Sequence, residues 1–88
     1  MGNNILKMYY ETQTGFLSLF LVERVYTEED EIISAYRTEI FDNNEEGVRT
    51  VKAEQIYTSP WYFHYTDALN SGVKECYRVG AVKLLFVS

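Results

Sequence analysis

Residues Phe16 to Tyr26 (FLSLFLVERVY) constrain the fold of this chain more than any other stretch. Read with a period of two, they present Leu17, Leu19, Leu21 and Val25 to one side and Phe16, Phe20, Val22 and Tyr26 to the other. A strand that is apolar on both sides belongs in the middle of a sheet with cover on both faces. Placed at an edge, the same run would be a template for aggregation.

The flanking segments supply its neighbours. Ile5 to Thr12 reads as a strand leading into a hairpin turn at Gln13-Thr14-Gly15, with Gly15 expected to supply a positive φ. Thr27 to Asp42 has two readings. As a helix it has Thr27 as cap, acids in its first turn, and Ile32, Tyr36 and Ile40 on one face. As a strand it is rich in β-branched and aromatic residues, with Glu28-Glu29-Asp30-Glu31 as a polar hairpin tip. The strand is the preferred reading, and a second helix at 28–42 the alternative.

Asn43 to Gly47 reads as a turn, and Val48 to Tyr57 as a more polar strand nearer an edge. Pro60 pushes Ser59 out of helical geometry and ends regular structure there. A helix follows, with Thr66 as expected N-cap and Ala68, Leu69, Val73, Cys76 and Tyr77 at helical spacing. Gly72 lies on that stripe, where it permits close approach to a sheet, and Gly80 sits where a glycine stop belongs. Ala81 to Val87 reads as a last, buried strand. The expected architecture is α+β: one domain over 1–88, an antiparallel sheet of four to five strands, and one helix of the C-terminal half packed on a face. One helix covers one face, so the apolar second face is left in need of cover from elsewhere.

Composition narrows the function classes. With 88 residues there is room for one core, and a single cysteine, Cys76, excludes an internal disulfide or a cysteine-based metal site. The lone thiol fits a reducing, cytoplasmic setting. No apolar run approaches the length of about 20 residues that a membrane helix needs, and no membrane association is expected. Leu6 stands where a myristoylation signal needs Ser or Thr.

Catalytic candidates are few. His64 is the only histidine, and Cys76 falls on the helix core stripe, where a small buried hydrophobe is the expected role. Asp42, Asn44 and Glu46 before Gly47 imitate the start of an EF-hand loop, but its twelfth position is Ala53, not an acid. No phosphate-binding or dinucleotide-binding glycine pattern occurs, and the residues call for neither cofactor nor metal.

Two features suit binding instead. From Glu23 to Glu46 the chain carries nine acids and two bases, against a net charge of −5 overall. The acids gather at Glu28, Glu29, Asp30 and Glu31 and at Asp42, Glu45 and Glu46, which a strand would hold roughly 35 Å apart at about 3.3 Å per residue. Such clusters suit a basic partner or a phosphate mimic, and equally a wet turn. Direct nucleic-acid binding is disfavoured, because that affinity comes largely from cations. The run Trp61, Tyr62, Phe63, His64 and Tyr65 is the second feature, either an exposed anchor or alternately packed core.

The expectation is therefore a non-enzymatic protein-interaction module that binds a protein partner or forms a homodimer: an inhibitor, adaptor or self-associating subunit, with a phage or mobile-element inhibitor as one version. The alternative is a small-molecule module with its pocket at Trp61 to Tyr65.

Overall fold

In a computed structural model, residues 2–44 and 52–88 are described. The elements are β1 (Asn3–Glu11), β2 (Gly15–Glu28), β3 (Glu31–Asn44), β4 (Lys52–Thr58), α1 (Tyr65–Arg78) and β5 (Lys83–Val87). All strand pairs are antiparallel, in the order β4-β3-β2-β1-β5, so the doubly apolar strand is the central one of five. The fold is α+β, with the single described helix on one face of the sheet.

Thr27 to Asp42 is strand. Thr27 and Glu28 complete β2, and β3 pairs with it without a break from Glu28↔Glu31 to Gly15↔Asn44. The tip is a two-residue turn, with φ of 49° at Glu29 and 64° at Asp30, the left-handed pair that matches strand twist in tight hairpins. The first hairpin does not need such backbone. Its turn closes through Thr12 N–H to Gly15 O at 2.9 Å, and Gly15 has the positive φ expected of it, 158°, close to extended.

The core lies between the sheet and α1. Leu17, Leu19 and Leu21 of β2 meet Met8 and Tyr10 of β1 and Thr38 and Ile40 of β3, all buried. From α1 come Ala68, Gly72 and Cys76, also buried, with Leu69 and Val73 partly so. Gly72 is a contact requirement: a Cβ there would lie 2.6 Å from Thr38 Oγ1 and 2.9 Å from Leu19 Cδ1. Tyr77, expected on the core stripe, is half exposed, and its ring meets Tyr10 edge-on at 5.5 Å.

Both helix ends are set by backbone. The N-cap is His64, not Thr66, and its carbonyl accepts from Asp67 N–H at 3.2 Å without help from a side chain. At the other end Ala81 N–H reaches Cys76 O at 2.9 Å and Gly80 N–H reaches Tyr77 O at 3.3 Å, with Gly80 at φ 121°. Those two bonds make a Schellman stop, the role expected of Gly80.

Two burial expectations fail. β5 is not buried: it forms an edge beside β1, and Leu84, Leu85, Phe86 and Val87 are 41–54% exposed. Its apolar character came from facing a thin rim of the sheet on both sides, which periodicity does not distinguish from burial. Val25, grouped with the core leucines, is 52% exposed, because β2 and β3 run on past β1 as a two-stranded arm. Asp42 ends the expected strand, opposite Leu17 and Glu54, but Asn43 and Asn44, expected in a turn, extend β3 opposite Phe16 and Gly15 because both neighbouring strands run on to pair with them. Val48 to Val51, the start of the expected fourth strand, lie outside the described residues.

Candidate interaction surface

The face opposite α1 is built by the alternate residues of the same strands. Register places Lys7, Phe20 and Glu39 in one row across β1, β2 and β3. The next rows are Tyr9, Ser18 and Phe41, then Glu11, Phe16 and Asn43. Phe86 of β5 stacks on Tyr9 with centroids 4.4 Å apart, and Tyr9 meets Phe16 at 6.0 Å. Phe20 meets Phe41 edge-on at 5.5 Å. Lys7 Nζ sits 4.9 Å from the Tyr9 ring and 5.0 Å from the Phe20 ring, held as a cation over aromatic faces. No described element covers these side chains.

At the centre is a shallow concavity of about 480 Å³, walled by Tyr9, Phe16, Phe20 and Phe41. Its floor is polar: Asn43 Nδ2 donates to Ser18 Oγ at 2.7 Å, and both residues are buried. The pair satisfies itself within an apolar sheet surface, which is what makes its burial tolerable.

Trp61 joins this face through a device in the backbone. Pro60 has no N–H to give the ladder, so β4 ends at Thr58, and Ser59 Oγ accepts from Thr38 N–H at 2.9 Å in place of a carbonyl. Pairing resumes at Tyr62, whose N–H and C=O both bond Tyr36 at 2.7 Å. Tyr36 points to the helix side, so Trp61, one residue before its partner, lies on the open side. There its ring meets the Arg37 guanidinium at 4.5 Å and that of Arg24 at 5.2 Å. Arg37 is oriented by Glu39, whose Oε2 accepts from Nε at 3.2 Å and from Nη2 at 2.9 Å.

The aromatic run is thus divided rather than gathered. Trp61 and Tyr62 are partly buried, Phe63 is 69% exposed, and Tyr65 is 55% exposed with its ring 6.2 Å from Tyr36. His64 is exposed at the helix start. None of these five lines the central concavity. The acids are divided too. Glu28, Glu29, Asp30 and Glu31 are exposed at the tip of the arm, Asp42 is partly buried, and Glu45 and Glu46 lie outside the described residues.

Groups with catalytic chemistry are far apart. Cys76 is fully buried, and burial, with Glu75 adding to it, pushes its thiol up to about 12. His64 lies twelve residues earlier on the same helix, about 18 Å away at about 1.5 Å per residue. Among the described residues no group of three or more His, Cys, Asp or Glu is placed to hold a metal ion. No described helix is long and apolar enough to cross a membrane.

Sequence reading reached the need for a second covered face but not its members. Lys7, Tyr9, Phe41 and Phe86 come from three strands, and only register brings them beside Phe16 and Phe20. The alternation of Leu6, Met8 and Tyr10 against Lys7 and Tyr9 was the available signal. Compared with protein-family models, curated proteins and solved structures, the chain matches none.

Proposed function

We propose that this chain is a non-enzymatic protein-interaction module whose docking surface is the open sheet face. The observation that carries the reading is the set of five rings on a face no described element covers, Tyr9 with Phe16 and Phe86, and Phe20 with Phe41, the two groups bridged by Lys7 over Tyr9 and Phe20. Aromatic clusters of this kind, interleaved with positioned charges, are what interface centres are made of.

Magnitudes set the expected strength. Taking roughly a quarter of a 150–250 Å² surface for each partly buried ring and half for Phe86, the rings and Trp61 still expose about 350 Å². Burying that contributes about 9 kcal/mol gross, against an association cost of about 4–15 kcal/mol. Even at the lowest association cost the surplus is about 5 kcal/mol, so the face by itself supports a weak, sub-millimolar and reversible partnership, with its polar contacts deciding which partner is accepted.

Phe20→Glu is the direct test. It places a carboxylate at the middle of the face while leaving the α1 side untouched. Tagged wild-type chain and the variant, both folded by circular dichroism, are cross-linked and purified from the cells that make the protein. The reading expects every protein retained by the wild type, a second copy included, to be lost from the variant. Retention of the same set would contradict it.

The small-molecule alternative has one observation in its favour, the concavity with its Ser18–Asn43 floor. It predicts that ligands raising the melting temperature of the wild type lose their effect in Ser18→Leu.

A further inference from the structure

The polar groups on the open face are arranged in a way that selects an occupant. Lys7 and Glu39 flank Phe20 in one row, on β1 and β3, with opposite charge and equal offset from the central strand. Lys7 makes no ion pair among the described residues. Both hydrogen bonds from Arg37 fall on Oε2 of Glu39, leaving Oε1 unbonded among them. Two neighbouring charges of opposite sign, each with unused capacity and symmetric about a strand, form a self-complementary pattern.

We infer that the open face binds a second copy of this chain, sheet against sheet, about a two-fold axis that runs parallel to β2. This rests on the reading of that face as the interaction surface, and names its partner.

An axis along β2 and between the sheets exchanges left and right across the strand. Phe20 then meets Phe20 of the other copy, and each Lys7 lies over the other copy's Glu39, giving two intermolecular ion pairs. In the adjacent row each Tyr9 faces a Phe41, so apolar surface meets apolar surface. The other in-plane axis, across the strands through Phe20, brings Lys7 onto Lys7 and Glu39 onto Glu39, a like-charge arrangement that interfaces avoid. Sheets packed face to face stand about 10 Å apart, a gap that a lysine and a glutamate span together.

The area fits a weak dimer. All five strands are present only from the Phe16 row to the Leu19 row, where β5 flanks Met8 to Glu11 and β4 flanks Glu39 to Asn44, and three strands continue to Glu23. At about 4.8 Å per strand and about 3.4 Å per residue the footprint is about 450 Å² per copy. That lies below the roughly 600–1,000 Å² per partner of stable interfaces and in the range of transient ones. It is continuous with Leu85 and Phe86 on the β5 edge. Self-association through this face accounts for the aromatic cover without any other molecule.

Sedimentation equilibrium of the wild type, Lys7→Glu, Glu39→Lys and the double variant tests the arrangement, with circular dichroism as the folding control. The wild-type mass is expected to climb from 10.3 kDa towards twice that value between low micromolar and sub-millimolar concentration. Each single variant, which sets like charges face to face twice, is expected to weaken the dimer at least tenfold. The double variant, which exchanges the charges, is expected to recover at least half of that loss on a logarithmic scale. A monomeric wild type overturns the second-copy assignment; the docking reading then still stands if Phe20→Glu loses a different protein, and falls if it loses none. A dimer indifferent to Lys7→Glu, or one the double variant does not recover, overturns the axis.

Discussion

Gly72 shows at a single residue how closely the helix and the sheet approach. Alanine there gains about 1 kcal/mol in helix propensity, but its Cβ meets the Thr38 side chain at 2.6–2.7 Å. Thr38 has no slack, since its Oγ1 donates to Ala68 O at 3.2 Å and its N–H is held by Ser59. Overpacking of this kind costs about 1–3 kcal/mol, so after the propensity gain Gly72→Ala is expected to lower stability by up to about 2 kcal/mol in urea unfolding. Cys76 and Tyr10 make a second prediction. Burial raises the thiol from 9.0 to about 12 and the phenol from 10.0 to about 12, so folding favours the protonated form of each. Their contribution is intact below pH 9 and is lost as pH rises towards 12, by up to about 1.4 kcal/mol per pH unit for each group. Urea midpoints of Cys76→Ala should fall less steeply above pH 9 than those of the wild type. The native thiol should also be silent to a disulfide reagent at pH 8.

The elements carry the account of what was legible in advance. Phe16 to Tyr26 announced a central strand because a run apolar on both sides, rich in aromatic and β-branched residues and preceded by the Gly15 turn, suits a strand covered on both faces. Gly72 and Gly80 announced their roles because only glycine meets a 2.6 Å approach or a Schellman turn. Thr27 to Asp42 stayed ambiguous because Ile32, Tyr36 and Ile40 fit both periods, and pairing with β2, a non-local fact, decided it. β5 misled because an edge strand and a core strand share one composition, and Asn43 and Asn44 because asparagines favour turns locally and only their pairing with β2 keeps them in β3. Of the site, Trp61 was singled out from sequence, but its partners Arg24 and Arg37 were not, being joined to it only through the Ser59–Pro60 break in the ladder. The arm offers an element-scale test. Glu29 and Asp30 hold left-handed backbone that L-residues adopt at a cost of about 1–2 kcal/mol each, less for Asp. Replacing them with Asn-Gly is expected to raise stability by about 1 kcal/mol, read from the urea midpoint. The same change removes two of the four tip acids, so unchanged partner binding would assign those acids to solvation alone.

At the scale of the whole molecule, the surface is larger than the mass requires. A compact monomer of 10.3 kDa exposes about 5,400 Å², and this chain exposes 6033 Å². Its radius of gyration is 14.3 Å against about 12 Å for a compact chain of 88 residues. The β2–β3 arm runs on past β1, and the molecule is 52 Å long by 23 Å and 20 Å. Two layers need a third to finish burying an aromatic face. The most direct measurement is the light-scattering mass of the wild type beside Phe20→Glu, from low micromolar to sub-millimolar concentration. The wild-type mass is expected to climb from 10.3 kDa towards twice that value, while Phe20→Glu stays at 10.3 kDa throughout. Equal masses for the two proteins at every concentration would contradict it.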